Sequence, residues 1–218
     1  MKKLAYLLMS FALVLSCSDD DSNQESTLNV TAGYAFTANK MVNSLKFTSG
    51  YIWLTEVEFE GHYASGDSIE VEVKRSSKID LATGVATPSL DDIVIPTGDF
   101  VELELEVELR DEDAQPSIVM EGTYTRTDGS QAPIRFEYNS GETFEAEYEK
   151  PVTILDGETV LSRIVFDPNI WFSVVPNDAL DNATVNADGV IVISGTSNQG
   201  IFDLVADRLD ESTESEFE

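Results

Sequence analysis

The stretch VELELEVEL, residues 101–109, alternates apolar and acidic residues without a break. Val101, Leu103, Leu105, Val107 and Leu109 point one way, and Glu102, Glu104, Glu106 and Glu108 the other. Wound as a helix, the run would scatter its apolar residues around the cylinder. Extended, it has one dry face and one wet face. A strand of that kind is stable only when another layer covers the dry face, so the stretch calls for a layered β fold.

The same period of two recurs along the chain. LNVTAGYAF sets Leu28, Val30, Ala32, Tyr34 and Phe36 on one face. YIWLTEVEFEG sets Tyr51, Trp53, Val57 and Phe59 on one face and Glu56, Glu58 and Glu60 on the other. SIEVEVK alternates Ile69, Val71 and Val73 with Glu70, Glu72 and Lys74, and SIVMEGTYT, PIRFEY, TFEAEY, TVLSRIVF and GVIVIS continue the theme. Turn residues separate the runs at Ser65-Gly66-Asp67, Pro96-Thr97-Gly98-Asp99, Thr127-Asp128-Gly129, Asn139-Ser140-Gly141 and Asp156-Gly157. No strand–helix alternation and no repeat of fixed period appears. The reading is an all-β fold, an antiparallel β-sandwich.

The last fifty residues differ. DPNIWF reads as a short turn or helix docking Trp171 and Phe172, and PNDALDNA as another helical turn. In QGIFDLVADRLDEST, Ile201, Leu204, Val205 and Leu209 are spaced three and four apart, which predicts a short C-terminal helix capped by Ser197 or Asn198.

The glutamate rows pose a problem. Like charges directly opposite on paired strands are destabilising. Glu56/58/60, Glu70/72, Glu102/104/106/108 and Glu145/147/149 are therefore expected to be kept apart by strand order, or by Lys74, Arg75, Arg126 and Arg135 lying between them; screening by bound cations is the other solution.

The 218-residue chain holds 41 acidic and 13 basic residues, a net charge of −28. Phosphate contacts need basic patches, so nucleic acid is excluded as a partner. The charge favours solubility and a monomer, and suits a salty habitat equally well. At 42% hydrophobic residues the chain can still bury a core.

The N-terminus reads as an address. Lys2 and Lys3 precede an apolar run from Leu4 to Leu15, then Ser16 and Cys17. The run is shorter than the roughly 20 residues of a membrane-spanning helix. LVLSC resembles the lipobox of bacterial lipoproteins, in which the cysteine is acylated and the chain cut before it. Ser18-Asp19-Asp20-Asp21 resembles the acidic export signal that follows that cysteine in Bacteroidota surface lipoproteins. The resemblance implies a signal peptide over 1–16, an acylated Cys17 with a flexible acidic tether over 17–27, and a β-sandwich with its C-terminal helix over 28–218. It further implies attachment through acyl chains to the outer membrane and exposure at the cell surface. Without residues 1–16, which hold two lysines and no acid, 11 basic residues face 41 acidic ones, a net charge of −30.

Cys17 is the single cysteine and His62 the single histidine, so no intrachain disulfide, multi-histidine metal site or histidine dyad can form. No nucleophile elbow or phosphate loop appears. No catalytic residue and no cofactor is expected. Oxygen ligands for calcium exist at Asp111 and Asp113 and at Asp178, Asp181 and Asp188, but neither stretch follows an EF-hand loop, and solvated turns explain them as well. Tyr51, Trp53, Tyr63, Tyr124, Tyr138 and Tyr148 could stack on sugar rings or fill the core. Asp67-Ser68-Ile69 resembles the O-glycosylation motif of exported Bacteroidota proteins.

YIWLTEVEFEG, followed at a distance by the strand, Pro-x-Gly turn and strand of DIVIPTGDFVELELEVEL, together with IVFDPNIWFSVVPNDAL and DGVIVISGTSNQGIFDLVADRLDESTESEF, resembles uncharacterised surface-lipoprotein families of Bacteroidota. The resemblance implies location and fold, not activity. Two functions are kept beside it: a non-catalytic binding or adhesion module for an extracellular glycan or protein ligand, or alternatively a structural envelope or fimbria-associated subunit.

Overall fold

The computed structural model describes residues 25–34, 44–209 and 213–217. VELELEVEL is the body of strand β6 (Gly98–Leu109), and its neighbours form the larger of two sheets. That sheet runs β10 (Val152–Ile154), β6, β2 (Leu45–Tyr63), β7 (Ile118–Thr125), β8 (Gln131–Tyr138), β12 (Ile191–Ile193). Strand β3 (Ser68–Asp80) adds to β2 and carries the short β4 (Ala86–Thr87), while β9 (Thr143–Tyr148) adds to β6. The smaller sheet runs β13 (Thr213–Phe217), β11 (Thr159–Phe166), β1 (Glu25–Tyr34), β5 (Ile93–Pro96). The two sheets pack together as an all-β sandwich. Among the described strands the pairings are antiparallel except β1 with β11 and β8 with β12, which are parallel. Glu25–Thr27, assigned above to the tether, are the first residues of β1.

Strand β2 organises the larger sheet. Its nineteen residues would span roughly 63 Å if straight. It changes partner on one side, pairing with β7 over Leu45–Ile52 and with β6 over Leu54–Tyr63, while β3 follows the other side from Tyr51 to His62. Its register shifts at three places: between Phe47 and Ser49, between Leu54 and Glu56, and, against β6, between His62 and Tyr63. Each of the first two adds one residue to β2 and reverses which of its side chains face inward. The third puts the extra residue, Val101, on β6 and leaves it 44% exposed, which corrects its expected place on the dry face. Leu45 and Phe47 are buried, then Ile52 and Leu54, then Val57 and Phe59. The single odd-numbered face expected over 51–59 is therefore corrected. Tyr51 and Trp53 are half-buried on the outer face, the same face as Glu56, Glu58 and Glu60.

Between the sheets lie Val57, Phe59, Leu103, Leu105, Val107, Ile134, Phe136 and Phe144, with Ile93 and Ile95 from the opposite layer. Phe144 of β9 meets Phe166 of β11 edge-on, ring centres 5.2 Å apart, which ties the layers together. The segment after β11 closes one end. Asp167 caps α1 (Pro168–Trp171) by accepting the Asn169 N–H at 2.8 Å, and Pro168 begins the helix. Trp171 and Phe172 are fully buried, and the Phe172 ring packs on Phe47 and Phe136 at 5.1 and 5.7 Å. Helix α2 (Asn177–Asp181) buries Leu180.

The C-terminal helix is α3 (Gln199–Ala206), and it buries Ile201 and Val205. Leu204, expected on that face, is 41% exposed; Phe202 takes its place beside Phe136 and Tyr138. Asn198 stands at the N-cap position, yet its side chain does not cap. It accepts the Thr184 N–H and donates to the carbonyls of Thr184 and Val192, clamping the preceding loop instead. Among the described residues no helix is long and apolar enough to cross a membrane.

Candidate functional site

Two features share the outer face of the larger sheet. The first is a lattice of glutamates. Along β3, β2, β6 and β9 the register aligns Lys74, Glu56, Glu108 and Thr143 in one row. The next row is Glu72, Glu58, Glu106 and Glu145, and the next Glu70, Glu60, Glu104 and Glu147. Two adjacent rows are thus glutamate from one strand to the fourth. This overturns the expectation that strand order or interposed cations keep the glutamates apart. Lys74 alone of the four proposed cations lies in these rows, 3.4 Å from Glu56 and in contact with Glu72. Arg135 serves Glu121 and Glu137, and Arg75 serves Asp92.

The energetic order explains why the fold accepts this. Each fully buried Val, Leu or Phe on the inner face of these strands is worth about 1.5–3 kcal/mol. A cross-strand charge pair is worth roughly 0.2–1 kcal/mol, with the same scale for repulsion. Burying Val57, Phe59, Leu105, Val107 and Phe144 therefore decides the register, and the glutamates between them follow.

The lattice relieves itself by holding protons. The Glu104 carboxyl is pushed up to about 7, first by burial and then by its hydrogen bond with Glu145 and the charges of Glu145, Glu60 and Glu106. Burial followed by neighbouring carboxylates also raises Glu58 and Glu106. Glu147 is raised by its hydrogen bond with Glu145. At the Lys74 end the sign reverses, and the ammonium holds Glu72 below the usual carboxylate range. Two groups of three carboxylates have oxygens within 4.8 Å of one another, Glu58/Glu60/Glu70 and Glu104/Glu106/Glu145. Calcium takes 6–8 oxygens, and three carboxylates on an open face do not enclose an ion.

The second feature lies beyond the bulge at Leu54–Glu56. A hollow of about 560 Å³ is lined by Tyr51, Lys78, Asp80, Val85, Glu121 and Arg135, with Gly50, Thr83, Thr87 and Val119 completing it. The size falls within the roughly 300–1,000 Å³ of small-molecule sites. Its floor comes from β2 and β7, one wall from the β3–β4 turn, and the other from β8. The Lys78 ammonium lies 3.8 Å from the centre of the Tyr51 ring and 4.3 Å from that of Trp53. Such placement over aromatic faces stabilises and orients a cation. Trp53 is held in turn by its indole N–H, which donates to Ser76 Oγ at 2.9 Å, and by the Arg110 guanidinium 4.2 Å from its ring centre. Arg135 donates to Glu121 and Glu137, both at 2.5 Å. The Thr83 N–H and hydroxyl both donate to Asp80 Oδ1 at 2.9 Å, closing the turn.

Cys17, Ser18, Asp19, Asp20 and Asp21 lie outside the described residues. The five aspartates considered for calcium are not brought together, and none belongs to the two carboxylate groups above. Asp113 pairs with Arg110 at 2.7 Å. Asp181 accepts from the Tyr124 hydroxyl at 2.7 Å and from the Thr127 N–H and hydroxyl, a clasp between α2 and the β7–β8 turn. Asp111, Asp178 and Asp188 are exposed. Of the aromatics, Tyr124 and Tyr138 belong to the core, while Tyr51 and Trp53 face the hollow and its rim. Ser68 is exposed at the β2–β3 hairpin, its hydroxyl 2.7 Å from His62 Nδ1. The sequence reading missed the hollow, because Lys78 and Arg135 become neighbours of Tyr51 only through pairing across β3, β2, β7 and β8. No protein-family model, curated protein or solved structure matches the chain.

Proposed function

We propose that the chain is an outer-membrane lipoprotein, anchored through acylated Cys17 and displayed at the cell surface, that serves as a non-catalytic binding module for an extracellular glycan or protein. The anchor rests on the LVLSC and Ser18–Asp21 resemblances. The observation that carries the binding role is the hollow around Tyr51 and Lys78: it combines an aromatic floor, a positioned cation and hydroxyl groups on an otherwise strongly acidic molecule. A sandwich with strands on three sides holds these groups rigidly, as recognition requires.

The test is an array of glycans and extracellular matrix proteins probed with the whole chain, beside a Tyr51→Ala/Lys78→Ala double variant. The expected result is at least one ligand retained by the wild type and lost by the double variant. Silence of the wild type on both arrays, or equal binding by the variant, overturns the reading.

A further inference from the structure

We infer that the hollow takes a hydroxylated sugar ring carrying a single carboxylate, with Lys78 as the residue that pairs with that carboxylate. This rests on the binding role proposed above and names its ligand class.

The charges of the lining point to an acid. Two cations, Lys78 and Arg135, face two acids, Asp80 and Glu121, so the hollow is neutral on a chain of net charge −28. The charge of Arg135 is already met by ion pairs to Glu121 and Glu137. Lys78 forms no ion pair among the described residues. Its ammonium is fixed by two aromatic rings, which orient it without neutralising it. An incoming carboxylate would find this cation already placed, and a charge-assisted hydrogen bond is about twice as strong as a neutral one.

The remaining groups select a polyol. Asp80 and Glu121 each have one carboxylate oxygen engaged, Asp80 by Thr83 and Glu121 by Arg135. Thr87 adds a hydroxyl to the wall. A purely apolar or aromatic acid would strip water from these carboxylates and give nothing in return, which is costly. Hydroxyls on a sugar ring donate to them, while the ring's C–H face covers Val85, which is 60% exposed. A polyanion is excluded by the overall charge, whose field opposes every additional negative group. One carboxylate on one ring is what a single available ammonium can neutralise.

The experiment is calorimetric titration of the whole chain with galacturonate, with neutral galactose and with triglutamate peptide, at low and at high salt. Galacturonate is expected to bind at least tenfold more tightly than galactose, and less tightly as salt rises. Lys78→Met keeps the length of the stem and removes the charge. It should cost galacturonate about tenfold and leave galactose unchanged, and Lys78→Arg should recover most of the loss. An unchanged melting temperature in both variants shows that the fold is intact. Equal binding of the acidic and neutral sugars, binding of triglutamate as tight as galacturonate, no galacturonate binding at 50 mM, or wild-type affinity in Lys78→Met each overturns the inference. If galacturonate fails while an array ligand still depends on Tyr51 and Lys78, the binding role stands and only this ligand class is wrong.

Discussion

Glu58 and Glu106 face each other across the β2–β6 ladder, and Glu72 and Glu145 extend the same row on either side. Four carboxylates in line on four strands cannot all stay charged cheaply. Burial and mutual repulsion raise Glu58, Glu106 and, most of all, Glu104 in the next row, which sits at about 7. Part of the fold's response to solution conditions is written in these rows.

Stability should rise as pH falls from 8 to 5.5. A carboxyl whose pKa is raised in the folded state binds more protons folded than unfolded. Its stabilisation is complete below the unfolded value and is lost as pH climbs through the folded one. For Glu104 that window runs from 4.5 to about 7. Groups held low, such as Glu72, Asp92 and Asp181, oppose this only in more acid solution, below the ordinary carboxylate value. Glu104 is only partly buried, so solvent screening leaves a fraction of the full linkage effect; thermal unfolding should show a melting temperature higher at pH 5.5 by about 3 °C, on the order of 1 kcal/mol for a chain of this size. Glu104→Gln should raise the value at pH 8 and flatten the profile. A melting temperature that falls steadily from pH 8 to 5.5 contradicts the lattice.

Monovalent salt should stabilise, and calcium should add little at matched ionic strength. The screening length is about 8 Å at 0.15 M and about 3 Å at 1 M, short enough to quiet neighbouring rows. A specific ion site would behave otherwise, adding roughly 2.7 kcal/mol at a hundredfold excess over its dissociation constant. Melting in EDTA, calcium and magnesium separates the two. A rise of more than about 5 °C in calcium alone would indicate a true site, and Glu58/Glu60/Glu70 and Glu104/Glu106/Glu145 would be the first places to mutate.

Gly122→Ala should be severely destabilising. Gly122 of β7 lies opposite Phe47 of β2, at the first bulge. A Cβ there would come within 2.1 Å of the Lys46 carbonyl oxygen and 2.7 Å of the Phe47 Cα, and backbone cannot step aside as a side chain can. The expected loss is about 3 kcal/mol or more, read as a lower urea midpoint. By contrast Gly129→Ala, with open space around it but a φ of +86°, should cost about 1 kcal/mol through backbone strain.

Cys17→Ala should release the protein from the membrane fraction, and replacing Asp19, Asp20 and Asp21 by alanine should keep the anchor but hide the chain from external protease. Normal membrane fractionation of the first variant would refute the lipobox reading. Unchanged cleavage of the second on intact cells would reduce the aspartates to a spacer.

The class of fold was legible in the alternation of neighbouring residues alone. The period of two in VELELEVEL, SIEVEVK and PIRFEY needs only the local chain geometry, and each became a strand with its apolar side inward, from Leu103 to Leu109 in β6 but not at Val101, and partly in β3 at the sheet edge. Asp167-Pro168 and the spacing of Ile201 and Val205 marked their helices for the same local reason. The site was not legible in that way. One extra residue between Leu54 and Glu56 carries Tyr51 and Trp53 to the outer face, and nothing in YIWLTEVEFEG signals it. Which strands lie side by side was decided by burial across the whole chain. That choice stacked the glutamates the sequence seemed to forbid, set β1 parallel to β11, and brought Lys78 over Tyr51. Alternation is a property of neighbouring residues, whereas register and strand order depend on the summed burial of distant ones, and that sum outweighs the repulsion of any single pair.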